Sequence, residues 1–212
     1  MSNLFKKYKE CLTNRDYFLS LGFSFLLLIF SLVYYVWALN YATEKASNSV
    51  TDIILSNIPV YDVADIFVYG ILFFVAFSVY ITLADPKRIP FVVKSIAMFA
   101  IFRSIFISLT HLGPYPNTFS INVYALNSLT DGGDMFFSGH TGLPFLMALV
   151  YWHKNNLRYL FIGLSVFFGT VALLGHYHYT IDVLAAFFIT YGIYHICKRI
   201  FKKDYKLFME GQ

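Results

Sequence analysis

Two short segments hold the residues best suited to chemistry. The first reads GGDMFFSGHT over residues 132–141, and the second reads GHYHYTID over residues 175–182. Each segment leads into a long apolar stretch, where a helix N-terminus would present unpaired N–H groups and a partial positive charge. Such a helix end suits a phosphate group. The sequence therefore predicts a phosphoryl-transfer site built from the two segments.

Three residues in these segments have types and spacing that fit a two-step transfer. Residues four apart share one face of a helix, so His178 and Asp182 can meet whereas His176 points elsewhere. Asp182 against one ring nitrogen would fix the tautomer of His178 and leave the other nitrogen free to attack phosphorus. His140 could protonate the departing oxygen and later take a proton from the acceptor. We predict His140, His178 and Asp182 as catalytic residues and a phosphohistidine intermediate.

A wider set of residues is predicted to bind the substrate. Ser138 is a candidate N-cap for the helix that follows it. Arg103 stands within an apolar stretch, where a charge is costly unless it faces a partner or a polar cavity. It could bind phosphate or pair with an acid such as Asp134. The remaining members are predicted from their position beside these groups: Gly139, Asp134, His176, Tyr177 and Tyr179.

The same residues admit two other interpretations. His178 and Asp182 could form an interfacial hydrogen bond that only joins two helices. Alternatively, His140, His176, His178 and Asp182 could ligate a metal ion. His176 lies off the face that His178 and Asp182 would share, which weakens the metal interpretation.

Six apolar stretches must position these residues. The chain is 58% hydrophobic and only 13% charged, whereas soluble domains are about 25% charged. Because about 20 apolar residues cross a bilayer core, we predict an all-α, six-helix membrane bundle forming a single domain over residues 1–212. The fourth stretch is short, and its helix could begin as early as Met135. The predicted helices cover 17–39, 64–84, 91–110, 139–152, 159–175 and 180–197.

Lysine and arginine are concentrated on one side of these stretches. All but two of the 16 basic residues flank the ends that share a side with the termini, the exceptions being Lys45 and Arg103. Cytoplasmic loops retain basic residues, so both termini are predicted to be cytoplasmic and the site exoplasmic or periplasmic. The net charge of +4 then reflects topology and not a nucleic-acid partner.

The two segments resemble catalytic motifs of the type-2 phosphatidic acid phosphatase superfamily, most of all those of its sphingomyelin synthase branch. The resemblance rests on GGDMFFSGHT and on HYHYTIDVLAAFFITYGIYH, which begins at His176. A stretch from Arg103 through Pro114 is similar to an upstream motif, so the likeness covers roughly residues 100–197. It implies a catalytic triad of His140, His178 and Asp182, an exoplasmic site, and chemistry without a metal or other cofactor.

Departures from the phosphatase branch bear on the substrate. That branch has a Lys…Arg-Pro motif, whereas Arg103 is followed by Ser104, and its Ser-Arg pair is replaced by Val171-Ala172. A site with few fixed cations suits a singly charged phosphodiester better than a doubly charged monoester. The predicted reaction moves a phospholipid head group to a lipid alcohol, such as ceramide or diacylglycerol, or to water. The alternatives are a lipid phosphate phosphatase and, from another class, a non-catalytic transporter.

Overall fold

The computed structural model describes residues 2–116, 118 and 135–211, and within these ranges the chain is all-helical without a strand. Two short 3₁₀ turns, Leu55–Asn57 and Pro86–Arg88, lie in the connections between helices. The α-helices of this part of the chain, α1 to α8 in order, are Ser2–Thr13, Arg15–Glu44, Ala64–Leu83, Ile89–Leu109, Gly139–Val150, Asn155–Leu174, Thr180–Ile200 and Lys202–Glu210.

Five of these helices are long and apolar enough to cross a membrane, namely α2, α3, α4, α6 and α7. The chain is therefore a multi-pass membrane protein. By contrast, α5 has 12 residues, or about 18 Å of helix, which is well short of a hydrocarbon core of about 30 Å. The predicted spans are thus confirmed for five stretches, while the fourth forms a short apolar helix.

The start of α5 is fixed by hydrogen bonds that stop the helix from reaching back to Met135. Ser138 is the N-cap, as predicted, because its hydroxyl oxygen accepts the N–H of Thr141 at 3.3 Å. The N–H of Ser138 donates to the carbonyl oxygen of Asp182 at 3.1 Å. The chain before α5 is therefore tied to the first turn of α7.

The bundle has a buried interior and an apolar exterior. α5 packs against α6 and α7, and α4 packs along α2. The core includes large aromatic side chains such as Phe74, Phe91 and Phe168, all nearly fully buried. The outward faces also carry large apolar side chains, as at Leu26 and Phe73. Such an exterior suits lipid and not water.

Both chain termini lie at the same end of the bundle. Lys7 of α1 pairs with Asp85 at 3.0 Å, and Lys87 pairs with Glu210 of α8, also at 3.0 Å. The 21 residues of α7 span about 32 Å and end beside α8. The first turn of α7, with the residues that precede it, is therefore at the opposite end, called the site end below.

Candidate active site

His178 precedes α7 and is held at one ring nitrogen. Its Nδ1 lies 3.0 Å from the carbonyl oxygen of Met135 and 3.6 Å from Oδ2 of Asp182. A carbonyl oxygen can only accept, so Nδ1 carries the hydrogen and donates it to Met135. In the neutral ring, Nε2 then keeps its lone pair. This arrangement leaves Nε2 of His178 as the nucleophilic atom of the imidazole.

Asp182 reaches His178 by a different route from the one that the four-residue spacing suggested. Because α7 begins at Thr180, His178 lies outside the helix. Oδ2 of Asp182 accepts the backbone N–H of Tyr179 at 2.9 Å, and this capping bond turns the carboxylate back toward the imidazole. The hydrogen bond from Nδ1 goes to Met135, which fixes the tautomer. Asp182, at 3.6 Å, acts on His178 through its charge.

The carboxyl group of Asp182 is only partly satisfied. The residue is fully buried, and its Oδ1 makes no hydrogen bond within the part of the chain that is described. An unpaired buried acceptor destabilises the fold. Groups of this kind are often kept for a functional reason.

His140 is the second residue of α5, and its ring is held by packing. It stacks on Phe67 with ring centroids 3.6 Å apart and planes inclined by 18°. Its Nε2 is buried and has no hydrogen-bond partner among the described residues. Burial lowers the pKa of His140 well below its usual range, and the charges of His178 and Arg103 lower it further. The two predicted catalytic histidines therefore belong to one electrostatic environment, which also contains the arginine.

Arg103 reaches the start of α5 from α4. It is 4% exposed, its Nε donates to the carbonyl oxygen of Phe137 at 2.8 Å, and its Nη1 donates to the hydroxyl of Tyr35 at 2.7 Å. A Cβ atom at Gly139 would lie 3.2 Å from Nε, so glycine lets the guanidinium approach the helix N-terminus closely. This charge and the helix N-terminus together favour an anion.

A cleft of about 240 Å³ opens beside Arg103 and His140, whereas His178 and Asp182 are not among its described lining residues. Arg103, Gly139 and His140 line it together with apolar side chains that include Leu32 and Ile71. Among the described residues, Arg103 is the only lysine or arginine that lines this cleft. A single guanidinium matches a phosphodiester, which carries one negative charge, better than a doubly charged monoester.

Two predicted substrate-binding tyrosines lie away from this cleft. The hydroxyl of Tyr179 donates to the carbonyl oxygen of Gly113 at 2.9 Å and accepts the N–H of Val50 at 3.3 Å, so it joins two loops. Tyr177 packs on Phe67 with ring centroids 4.4 Å apart, and burial raises the pKa of its hydroxyl to about 12. Neither tyrosine lines the cleft.

His176 and Asp134 complete the predicted set. His176 has a positive φ of 57°, and its ring meets Tyr115 edge-on with centroids 5.2 Å apart. Burial lowers the pKa of His176, so the ring is neutral near pH 7. It does not line the cleft either. Asp134 lies outside the described residues.

Sequence reasoning missed Asp52, which supports the site from the connection between α2 and α3. Its Oδ2 accepts the N–H of Thr180 at 2.7 Å, and its Oδ1 accepts the Thr180 hydroxyl at 2.8 Å. Burial alone would raise the pKa of Asp52, but hydrogen bonds from Thr180, Leu55 and Ile54 outweigh it and lower that pKa. Asp52 thus caps α7 as a carboxylate. The only sequence signal was an acidic residue in a loop on the site side.

Residues 132–199 match the family model described as PAP2 superfamily C-terminal. The matched range is about a third of the chain and contains His140, His178 and Asp182. No curated protein and no solved structure matches the chain. Members of the PAP2 superfamily are phosphatases or phosphotransferases. The match supports the resemblance to the type-2 phosphatidic acid phosphatase superfamily and does not distinguish its sphingomyelin synthase branch.

Proposed function

We propose that this protein is a membrane lipid phosphotransferase that moves the phospho-head-group of a phospholipid to a lipid alcohol or to water. The observation that carries the proposal is the tethered imidazole of His178. Its Nδ1 lies 3.0 Å from the Met135 carbonyl oxygen and 3.6 Å from the Asp182 carboxylate. A ring oriented in this way, with a buried carboxylate behind it, is suited to attack and to carrying positive charge afterwards.

In the first step, Nε2 of His178 attacks the phosphorus of the donor lipid. An N–P bond forms as the P–O bond to the diacylglycerol oxygen breaks. His140, protonated once the anionic phosphodiester is bound beside it, gives its proton to that oxygen, so diacylglycerol leaves as a neutral alcohol. Asp182 stabilises the positive charge that develops on the imidazole of His178, and Arg103 offsets the negative charge on the non-bridging oxygens.

In the second step, an acceptor hydroxyl replaces the departed alcohol. His140 takes the hydroxyl proton as the acceptor oxygen attacks phosphorus, and the N–P bond breaks. The products are a new phosphodiester lipid and regenerated His178. With ceramide or diacylglycerol as acceptor the protein is a transferase, and with water the same residues act as a phospholipase C-like hydrolase.

The number of cations separates this proposal from a lipid phosphate phosphatase. In the part of the chain that the structure describes, Arg103 is the one lysine or arginine that lines the cleft. Val171 and Ala172 are buried in an apolar cluster. A phosphate monoester carries up to two negative charges near neutral pH, so it would be poorly balanced here. The diester therefore remains the preferred donor.

The test follows phosphorus in the purified protein. Phosphatidylcholine and phosphatidylethanolamine labelled at phosphorus are incubated with the protein in mixed micelles, with and without ceramide or diacylglycerol, beside labelled phosphatidic acid. We expect label to move from a diester to the lipid alcohol or to a water-soluble head group. Rapid release of phosphate from phosphatidic acid, with both diesters untouched, would instead identify a lipid phosphate phosphatase.

A further inference from the structure

A second cavity extends the active-site cleft toward the other end of the bundle. It has a volume of about 360 Å³ and an almost wholly apolar lining. Ile96 of α4 and Leu143 of α5 line both this cavity and the cleft beside Arg103. The two spaces therefore adjoin at these residues, and together they are called the long groove below.

The lining residues of each helix are separated by about one or two helical turns. On α4 they include Ile89, Ile96 and Arg103, and on α5 they include His140 and Met147. This spacing marks one face of each helix, so the groove runs parallel to the helix axes. From Ile89 to Arg103 the rise is about 21 Å, which exceeds the half-thickness of a hydrocarbon core of about 30 Å.

One side of the long groove is open to the membrane. Val75, Val79 and Leu83 on α3 line it and are also 40 to 50% exposed. On the opposite wall, Val92 and Met147 are almost fully buried. A molecule could therefore enter sideways from the bilayer and rest against the buried wall.

We propose that the long groove holds one acyl chain of the phospholipid donor and selects the length of that chain. Arg103 and His140 lie at one end of the groove, where the positively charged guanidinium complements a phosphate. The cavity that extends away from them has an almost wholly apolar lining, which suits an acyl chain. A phospholipid has both features, an anionic phosphate and an apolar chain long enough to follow the groove. This inference rests on the proposed function, since it names the donor's position in the same site.

The proposal makes Val93 a residue that limits chain length. Val93 is partly buried and lines the part of the groove that is far from Arg103. It lies ten positions before Arg103 on α4, about 15 Å along the helix. An indole at this position would block the part of the groove that lies beyond residue 93 from Arg103. A short chain would still fit between residue 93 and Arg103, whereas a long chain would have to leave the groove.

The experiment compares two chain lengths in three proteins. Dioctanoyl and dipalmitoyl forms of phosphatidylcholine and phosphatidylethanolamine are assayed in mixed micelles with wild type, Val93→Trp and Val166→Trp. Val166 is an exposed α6 residue that lies outside the groove lining, so it is the matched control. Because a long chain displaced from the groove loses its packing contacts and returns to detergent, we expect Val93→Trp to lower kcat/KM for the dipalmitoyl donor by about tenfold relative to the dioctanoyl donor. Val166→Trp should leave that ratio unchanged.

A second variant guards against misfolding. Val79→Trp introduces the same side chain from the exposed wall of the groove, where overpacking is less severe, and should shift the ratio in the same direction. If Val93→Trp and Val79→Trp both fold and neither changes the ratio of the two chain lengths, the groove does not hold the chain. This result would leave the phosphotransferase proposal intact.

A separate binding measurement distinguishes the two proposals. Each protein is mixed with dipalmitoyl phosphatidylcholine and stripped of detergent in a native mass spectrometer. The spectrum then records how much of this lipid stays bound to the protein. If wild type turns over no phospholipid yet retains this lipid better than Val93→Trp does, the groove is supported and the proposed reaction fails. Equal retention by wild type and Val93→Trp would overturn the groove.

Discussion

A buried, paired lysine at one end of the helical bundle contrasts with two polar atoms that are unpaired in the described part of the other end. At the end with the termini, Lys94 donates to Asp204 at 2.6 Å and to Ser20 at 2.7 Å, and Ser20 donates to Asp204. At the site end, Nε2 of His140 and Oδ1 of Asp182 are buried without a hydrogen-bond partner in the described chain. Paired groups hold helices together, whereas unpaired groups weaken the fold. We infer that these unpaired atoms lower the stability of the fold at the site end and are retained because they can contact a substrate.

The largest expected effect is the loss of activity when His178 is removed. His178→Ala should lower kcat by about 10⁴-fold, because no other group can take up the phosphoryl group in its place. The rate of head-group transfer is measured under saturating donor. The melting temperature should also fall, because the buried Met135 carbonyl oxygen loses the hydrogen bond from this ring, so kcat is compared on folded protein.

His153→Ala provides the matched control for this prediction. His153 is an exposed histidine in the turn after α5, and its removal should leave transfer at the wild-type rate. Near-normal activity in His178→Ala would contradict the assigned nucleophile.

The next effect should appear at the other end and in stability alone. Lys94→Met leaves the carboxylate of Asp204 in a protein interior without its 2.6 Å partner, which costs about 3 kcal/mol of unfolding free energy. Thermal unfolding in detergent measures the loss, and kcat of the folded fraction should stay near wild type. Replacing both residues, as Lys94→Met with Asp204→Leu, should recover much of the stability. A large fall in kcat at full folding would show that the two ends are coupled.

Asp182→Asn separates charge from capping at the site. The asparagine oxygen can still accept the N–H of Tyr179, which now binds Oδ2 of Asp182 at 2.9 Å, but the negative charge behind His178 is lost. We expect kcat to fall by about 10²-fold with little change in KM. The loss should be smaller than in His178→Ala because the Met135 carbonyl still fixes the tautomer. A loss equal to that of His178→Ala would show that the charge of Asp182 is indispensable.

Asp52 gives the smallest effect, and it depends on pH. Asp52→Ala removes a cap from α7 and should lower stability by about 1 kcal/mol. Hydrogen bonds to the Asp52 carboxylate lower its pKa in the folded protein. Its contribution is therefore complete above the ordinary aspartate pKa of about 3.9 and is lost as the pH falls through the lower folded value. Unfolding of wild type and variant should thus differ at pH 7 and converge in strong acid.

The sequence predicts the long helices and the two site segments, but it does not predict the ion pair at the end with the termini. Long apolar stretches are sufficient to predict α2, α3, α4, α6 and α7, because length and composition decide which segments can cross a bilayer. The identity of the two site segments follows from local clusters of polar residues. Pairing at the other end, as between Lys94 and Asp204, joins residues 110 positions apart. Local patterns do not contain that information.

The details of the site depended on contacts that no side-chain pattern encodes. The hydrogen bond that orients His178 ends on the backbone carbonyl of Met135, 43 positions away. The cap from Asp52 to Thr180 spans 128 positions. The start of α5 at Gly139 and its N-cap Ser138 were predicted, but the hydrogen bond from the Ser138 N–H to the Asp182 carbonyl oxygen was not. Each of these unpredicted bonds joins residues that are far apart in the sequence, so no local pattern contains it.

The most direct measurement traps the covalent intermediate. Wild-type protein is mixed with phosphatidylcholine in the absence of a lipid alcohol, quenched within the first turnover under alkaline conditions that preserve phosphohistidine, and digested for mass spectrometry. We predict that the peptide containing His178 gains the mass of phosphocholine and that the His178→Ala protein gains none. Phosphocholine attached to another residue, or attached equally in His178→Ala, would contradict the central role of His178.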